Sequence, residues 1–252
     1  MSDLPEFDYE THGQHYTAVR RADPRIAELV HAALGPAKTV LNVGAGAGSY
    51  EPTDRYVLAV EPSAAMRARR PAGAAPALIA SAESLPLDGK SFDAAMAMLT
   101  LHHWPNRVLG LREMRRVARG PVLVFTCDPN ADTDFWIYHY GPEFEEIEQR
   151  RYGNLDVITE ALGGRCEAWP IPVAQDCTDG FQIAFYARPE AFLDHRVRGS
   201  QSAWKFLPPG AEERIVASLT HDLETGEWDR RYGHLRSQPF ITCQLRLVVA
   251  HP

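Results

Sequence analysis

The sequence of 252 residues lacks several features that would place it in a class at once. It has no basic amino-terminal stretch followed by an apolar one, and no apolar run long enough to cross a bilayer. Its formal net charge is -7 and no basic cluster offsets it, so it offers no positive surface to a nucleic acid backbone. We therefore expect a cytoplasmic protein that binds neither membranes nor nucleic acids.

Cysteine is also scarce. No two of the four cysteines have the close spacing of a metal site or a redox pair, so we predict buried or half-buried thiols and no metal. There is no internal repeat and no low-complexity tract, and the Walker signature of nucleoside triphosphatases is missing. The length and a hydrophobic content of 45% predict a single elaborated globular domain.

Short apolar runs alternate with helix-like segments along the chain. Residues 39–43 end in a glycine-rich turn, and residues 56–60 end at Glu61. Similar runs lie at residues 77–80, 92–98 and 121–126. Because these runs have no polar face, they indicate a parallel sheet covered by helices on both sides, which is a doubly wound α/β fold.

The glycine-rich turn Gly44–Gly48 follows the first predicted strand, at the edge where such sheets bind ligands. A dinucleotide fingerprint needs glycine at the first, third and sixth positions. Ser49 stands at the sixth position and Pro52 interrupts a following helix, so NAD and FAD are disfavoured. Glu61, at the end of the second strand, can accept both hydroxyls of an adenosine ribose.

Five segments occur in a specific order: VLNVGAGAG, AVEPS, SAESLP, SFDAAMAML and LHHW. Each is weak alone, but in this order and spacing, over about residues 36–126, they resemble the class I S-adenosylmethionine-dependent methyltransferases, in the type 11 or UbiE-like subgroup. The resemblance implies a Rossmann-like doubly wound mixed sheet with an antiparallel last strand. It also implies S-adenosylmethionine as cofactor and S-adenosylhomocysteine as product.

The resemblance further implies which residues contact the cofactor. The glycine loop would wrap the methionine part, Glu61 would hold the ribose, and residues 81–83 would contact the adenine edge. A tyrosine and an arginine on the leading segment would lie over the cofactor carboxylate. The predicted cofactor contacts are Tyr16, Arg20, Asn42, Gly44, Ala45, Gly46, Gly48, Glu61, Pro62, Ser63, Met66, Ser81, Ala82, Glu83, Met98 and Leu99.

The chain departs from the pattern of this family in two respects. Many relatives have aspartate at the positions of Asn42 and Ser81, so a loop-bracing and an adenine-facing carboxylate are missing. The interval between Gly48 and Val57 is also short for a crossover helix between parallel strands. We expect that helix to shrink to about one turn.

The acceptor side is predicted from position in the fold. His103, just after the fourth strand, is the candidate general base, and the alternative is that one of the two histidines packs under Trp104 while the other caps the next helix. The aromatic cluster Trp136–Tyr140 would form an acceptor pocket, or else place Trp136 and Tyr140 in the core. The predicted acceptor contacts are Tyr9, His102, His103, Trp136 and Tyr140. Residues 176–180 are interpreted as a turn without chemistry.

Together these patterns predict a single methyltransferase domain over residues 1–252, with helical cap insertions that enclose the acceptor. Its parts are a lid and helix at 1–35, a cofactor-binding core at 36–126, cap insertions at 127–164 and 178–238, and closing strands at 165–175 and 240–250. The expected reaction is methyl transfer to an oxygen, nitrogen or carbon atom of a small metabolite. The alternatives are methylation of a macromolecule and a non-catalytic cofactor-binding protein of the same fold.

Overall fold

The structure of the protein, a computed structural model, describes residues 19–131 and 135–252, so Tyr9 and Tyr16 lie outside the described residues. The described strands are β1 (Thr39–Val43), β2 (Tyr56–Val60), β3 (Ala77–Leu78), β4 (Ala94–Met98), β5 (Val122–Cys127), β6 (Arg165–Ala174) and β7 (Phe240–His251). The described α-helices are α1 (Pro24–Ala33), α2 (Ala64–Ala68), α3 (Arg107–Val117), α4 (Ile137–Tyr140), α5 (Glu143–Tyr152), α6 (Leu155–Leu162), α7 (His195–Gly199), α8 (Ala211–Thr225) and α9 (Glu227–Tyr232). Short 3-10 turns occupy Leu101–His103, Gln182–Phe185, Pro189–Leu193, Ser202–Phe206 and Gly233–Ser237.

The strands form one seven-stranded sheet in the order β3-β2-β1-β4-β5-β7-β6. Neighbouring strands from β3 to β5 are parallel, whereas β7 pairs antiparallel with both β5 and β6. The strand order reverses between β1 and β4, and the crevice at the carboxyl ends of these strands is where such sheets bind ligands. The sheet confirms the predicted Rossmann-like mixed fold with an antiparallel last strand.

The connection from β1 to β2 is shorter than expected. Residues 44–55 form turns and contain no helix at all, although Thr39 and Tyr56 pair directly in parallel strands. Helix α1 contributes to the cover of this face, because Ile26 and Val30 are buried in the same core as Val40. The crossover helix is therefore absent rather than shortened to one turn, and the loop after β1 lies next to the crevice.

Helices cover both faces of the sheet. On one face, α3 and α6 bury Leu111 and Ile158 against strand residues such as Val124. The other face carries α1 and the cap, which we define as α4, α5, α7, α8, α9 and the 3-10 turns between Gln182 and Ser237. Helix α6 falls within the predicted insertion 127–164, yet it covers the sheet. No helix among the described residues is long and apolar enough to span a membrane.

Two helices, α5 and α6, occupy residues 143–162, with a break between them at Gly153 and Asn154. Gly153 ends α5 with a φ of +71°, which glycine adopts without steric cost, and Asn154 accepts a hydrogen bond from the backbone N–H of Asp156 to begin α6. The break lets α5 join the cap while α6 packs on α3. The buried face of α5 therefore lies on the inner side of the cap.

Candidate active site

A cavity of about 550 Å³ opens at the carboxyl ends of β1, β2 and β4. Its size lies within the range of pockets that bind molecules as large as drugs and nucleoside cofactors. Four loops and one arginine form its walls. The lining residues are Arg20, Gly44, Ala45, Gly46, Ala47, Ser49, Tyr50, Glu61, Pro62, Ser63, Met66, Ser81, Ala82, Glu83, Met98, Leu99, Thr100, His103, Trp104 and Pro105.

The loop after β1 needs glycine for its positive φ angles and, at Gly44, for its close approach to Thr100. Gly44 has a φ of +66°, and a Cβ at this position would lie 2.3 Å from Thr100 Oγ1. Gly46, with a φ of +51°, donates its backbone N–H to Glu61 Oε2 at 2.8 Å. A side chain at Gly44 would therefore push the loop away from β4.

A buried ion pair braces this loop from below. Arg70 donates to Glu51 Oε1 at 2.9 Å and to Oε2 at 2.7 Å, and Asn42 Nδ2 donates to Oε1 at 2.9 Å. Arg70 also donates to the carbonyl of Gly46 at 3.3 Å. The bracing carboxylate that the sequence lacks at Asn42 is thus supplied by Glu51, which lies on the loop itself.

Asn42 and Gly48, which were predicted as cofactor contacts, do not line the cavity. Asn42 is buried because its amide is turned toward Glu51, and Gly48 lies beside the same ion pair. Both residues support the loop instead of facing the cavity. The role of Glu51 could have been predicted from the sequence. The strand before the glycine loop has no acidic residue, and Glu51 is an acidic residue shortly after that loop.

Glu61 projects into the cavity from the end of β2 and is only 7% exposed. Its Oε1 accepts from the backbone N–H of Ser63 at 2.9 Å, and its Oε2 accepts from that of Gly46. Burial raises the pKa of Glu61, while these two hydrogen bonds oppose the rise. Each carboxylate oxygen has a second lone pair, so both can accept another hydrogen bond from a bound hydroxyl.

The loops after β3 and β4, which also line the cavity, are held by contacts with α3. Glu83 Oε1 accepts from the backbone N–H of Asn106 at 3.1 Å, which ties the loop after β3 to the start of α3. Trp104 packs on Gly110, where a Cβ would lie 2.6 Å from the indole. Trp104, Thr100 and Tyr50 line the cavity although the sequence analysis did not assign them to it.

Arg20 lines the cavity and is positioned by a buried carboxylate, Asp179. Its Nε donates to Asp179 Oδ1 at 2.6 Å, and the hydroxyl of Tyr50 donates to Oδ2 at 2.6 Å. Asp179 is 1% exposed, so the pair fixes Arg20 against the glycine loop. The turn at residues 176–180, for which no chemistry was predicted, therefore carries the carboxylate that positions Arg20.

The two histidines lie on the 3-10 turn after β4 and face different spaces. His103 lines the 550 Å³ cavity, while His102 lines a second, smaller one, and their ring centroids are 3.9 Å apart. Neither caps α3, since Asn106 accepts from Leu109 at its start. Desolvation lowers the pKa of His103 well below its usual value, and the positive charges of Arg151, Arg20 and Arg107 add to this effect. His103 is therefore neutral near pH 7 and can accept a proton.

Trp136 and Tyr140, which were predicted as acceptor contacts, line neither cavity. Trp136 is 1% exposed and donates its indole N–H to the carbonyl of Tyr186 at 2.8 Å. The hydroxyl of Tyr140 donates to Asp222 Oδ2 at 2.8 Å. Four residues apart on one helix, the rings share a face that packs into the cap, against Trp228 among others.

The second cavity, of about 80 Å³, lies beneath the cap and shares Arg20 and Leu99 with the first. Its walls come from α5, the turns of the cap, β5 and β7. The other lining residues are His102, Cys127, Glu148, Arg151, Tyr152, Phe181, Gln182, Ile183, Ser200, Gln201, Ser202, Ala203, Gln244 and Leu245. Leu99, between the two cavities, has a φ of +50°, a conformation that is uncommon for a residue with a bulky side chain.

Sequence reasoning missed this second cavity, although α5 carried a signal for it. The buried face of α5 consists of Phe144, Ile147, Glu148 and Arg151, at the spacing of one helical face. Two charged residues on an otherwise apolar face are costly unless they bind something. That pattern, readable from the sequence, marks the wall of an internal polar site.

Comparison with known proteins agrees with this geometry. Residues 41–124 match the family model described as methyltransferase domain. A putative methyltransferase from an antibiotic biosynthesis pathway of Anabaena variabilis ATCC 29413 is 30% identical, with a TM-score of 0.85 over 92% of this chain and 98% of that one. A search of curated proteins found no match.

Two more distant structures share the fold. A putative methyltransferase from Bacillus halodurans C-125 is 15% identical, with a TM-score of 0.50 over 89% of this chain and 96% of that one. Phosphoethanolamine N-methyltransferase 2 of Haemonchus contortus, in complex with phosphomonomethylethanolamine and S-adenosylhomocysteine, is 11% identical, with a TM-score of 0.53 over 91% of this chain and 53% of that one. With the glycine loop, Glu61 and the strand order in place, the chain belongs to the class I S-adenosylmethionine-dependent methyltransferases.

Proposed function

We propose that this methyltransferase acts on an oxygen, nitrogen or carbon atom of a small molecule that binds beneath the cap. The observation that carries the proposal is that two cavities, one of cofactor size and one of about 80 Å³, share Leu99 and Arg20 in their walls. A space this small suits a small molecule better than a segment of protein or RNA. The net charge of -7 further disfavours RNA.

The larger cavity fits S-adenosylmethionine, which supplies a methyl group on a sulfonium when it is bound. Glu61 has a free lone pair on each oxygen for the two ribose hydroxyls, with charge-assisted hydrogen bonds. Gly44, Ala45 and Gly46 would hold the methionine part with their backbone, and Arg20 would bind its carboxylate.

The remaining cofactor contacts follow from the same cavity. Pro62, Ser63 and Met66 would line the adenine side, with the residues 81–83 at the adenine edge. Met98 and Leu99 would face the aminocarboxypropyl group. We also propose that the chain belongs to the UbiE-like subgroup and forms a single domain, in which the cap closes the core at residues 36–126.

The chain would contribute mainly position and exclusion of water to the reaction. Methyl transfer from a sulfonium is an in-line displacement, so holding the acceptor in line provides much of the acceleration. The cap would keep the acceptor away from solvent. Neutral His103, on the wall of the larger cavity, would accept the proton of an acceptor that must lose one.

Calorimetric titration with S-adenosylmethionine and S-adenosylhomocysteine tests the cofactor part. A screen of small molecules with a deuterated methyl donor, read by mass, tests the transfer. We expect both ligands to bind and a labelled product of low molecular mass to form. Cofactor binding with no methylated small molecule, or with a methylated protein or RNA instead, would overturn the proposal.

A further inference from the structure

The smaller cavity contains polar side chains without partners. Gln201 is 5% exposed, and neither its amide oxygen nor its amide nitrogen has a hydrogen-bond partner among the described residues. The same holds for the amide of Gln182 and for Nδ1 of His102. Buried polar groups are normally hydrogen-bonded, because leaving them unpaired costs stability. Two amides with both ends unpaired at one cavity indicate a ligand that donates and accepts hydrogen bonds.

Arg151 adds a buried positive charge at the same place. It is 4% exposed, and its guanidinium donates to Ser202 Oγ at 2.7 Å and lies 4.9 Å from the ring centroid of Phe206. Within the described part of the chain, no carboxylate oxygen lies within 4.0 Å of its nitrogens, although most other arginines of the cap form such pairs. A buried guanidinium without a carboxylate is costly and calls for an anion.

Glu148 lines the same cavity, but its carboxylate is engaged by another partner. Its Oε2 accepts from the hydroxyl of Tyr138 at 2.6 Å, and the amide of Gln244 donates to that hydroxyl at 2.5 Å. Burial raises the pKa of Glu148 to about 7, against the effects of Tyr138 and Arg151. Glu148 therefore acts on Arg151 only from beyond ion-pair distance, and the guanidinium stays available to an anion.

The size of the cavity limits the ligand. Its volume of about 80 Å³ is smaller than that of an engineered apolar cavity of roughly 150 Å³ that holds benzene. A group of a few heavy atoms fits in this cavity. Arg20 and Leu99 are the two lining residues that the smaller cavity shares with the larger one. A molecule held by Arg151 can thus extend its other end toward His103.

We propose that the methyl acceptor is a small amino or hydroxy carboxylic acid, bound by its carboxylate to Arg151 and by polar atoms other than the methylated one to Gln182 and Gln201. The proposal rests on the proposed function. In the reaction the bond between sulfur and the methyl carbon breaks, with its electron pair going to sulfur. The methyl carbon bonds to the nitrogen or oxygen of the acid, and the proton of that atom passes to His103.

Matched pairs of probes test the charge of the acceptor. Amino and hydroxy acids of two to six carbons, each beside its primary amide, are titrated into the full chain with and without S-adenosylhomocysteine, and inorganic phosphate is a further probe. We expect acids to bind about ten- to a hundredfold more tightly than their amides, the range for hydrogen bonds to a charged group. Amides that bind as well as acids, phosphate that binds more tightly, or no binding by any acid would overturn the proposal.

Variants assign the binding to Arg151. Arg151→Met should abolish the preference for acids, and Arg151→Lys should retain part of it because the charge remains. The control is Arg150→Met, since Arg150 is half exposed and pairs with Glu146 on the outer face of α5, and its preference should match that of the wild type. If Arg151→Met does not fold, Gln201→Met serves as the test, and we expect it to bind the acids about tenfold more weakly than the wild type.

The two proposals fail in different ways. Failure of the wild type to bind S-adenosylhomocysteine contradicts the proposed function. The binding of acids is also measured without S-adenosylhomocysteine, so the proposed acceptor is tested independently of the cofactor. An Arg151→Met or Gln201→Met protein that binds S-adenosylhomocysteine normally and retains the full preference for acids contradicts the assignment of Arg151 and Gln201 alone.

Discussion

Replacing Gln201 by methionine should make the protein more stable while weakening acceptor binding. Methionine has nearly the shape of glutamine and no polar atoms, and the amide of Gln201 makes no hydrogen bond with the described residues that the substitution could remove. An unsatisfied buried polar group costs about 1 to 3 kcal/mol, so Gln201→Met should raise the free energy of unfolding by about that amount. For a chain of this size, this corresponds to a rise in Tm of roughly 2 to 12 °C.

The matched control lies in the same cavity. Gln244 is equally buried, but its amide nitrogen donates to Tyr138 and its oxygen accepts from the thiol of Cys127 at 3.6 Å. Gln244→Met removes these bonds and should lower the free energy of unfolding by about 1 to 3 kcal/mol. The two substitutions are chemically identical, so only the presence of partners gives them opposite signs.

Urea denaturation followed by circular dichroism measures both changes, with constant m-values as the check that only stability has changed. If Gln201→Met destabilises the protein as much as Gln244→Met does, the amide of Gln201 is already satisfied in the free protein. The inference that it is kept for a ligand would then be wrong.

Three further predictions concern the cofactor cavity. Glu61→Ala should weaken S-adenosylhomocysteine binding by about 1.5 to 3 kcal/mol in calorimetry, while the exposed Glu160→Ala changes nothing; equal affinities would contradict the ribose assignment. Gly44→Ala should cost more stability than Gly35→Ala, because both have positive φ but only Gly44 would meet Thr100; thermal melts that match would refute the close contact. The lowered pKa of His103 should place the acidic limb of the rate below its usual pH of about 6.5, with a flat rate from pH 7 to 8; a limb centred above pH 7, or one that persists in His103→Ala, would exclude it as the base.

The cofactor side of the protein could be predicted from the sequence because it is built from local motifs. The glycine loop, Glu61 and residues 81–83 each lie directly after a strand that the apolar pattern predicts. In a parallel sheet, the carboxyl ends of the strands meet at one edge, so adjacency follows from the strand order alone. For the same reason His103 was predicted at this edge, and it lines the cavity there.

The acceptor side was decided by tertiary structure. Trp136 and Tyr140 follow the strand that borders the crevice, but the direction of α4 turns both rings into the cap. Glu51 took over the bracing that the strand position 42 lacks, through a partner, Arg70, that is distant in the sequence. Arg151, Gln182 and Gln201 come from three separate segments. Only the packing of the cap brings them together, because the burial of apolar faces makes neighbours of residues that are far apart in the sequence. A local sequence motif does not show which distant segments will pack against each other.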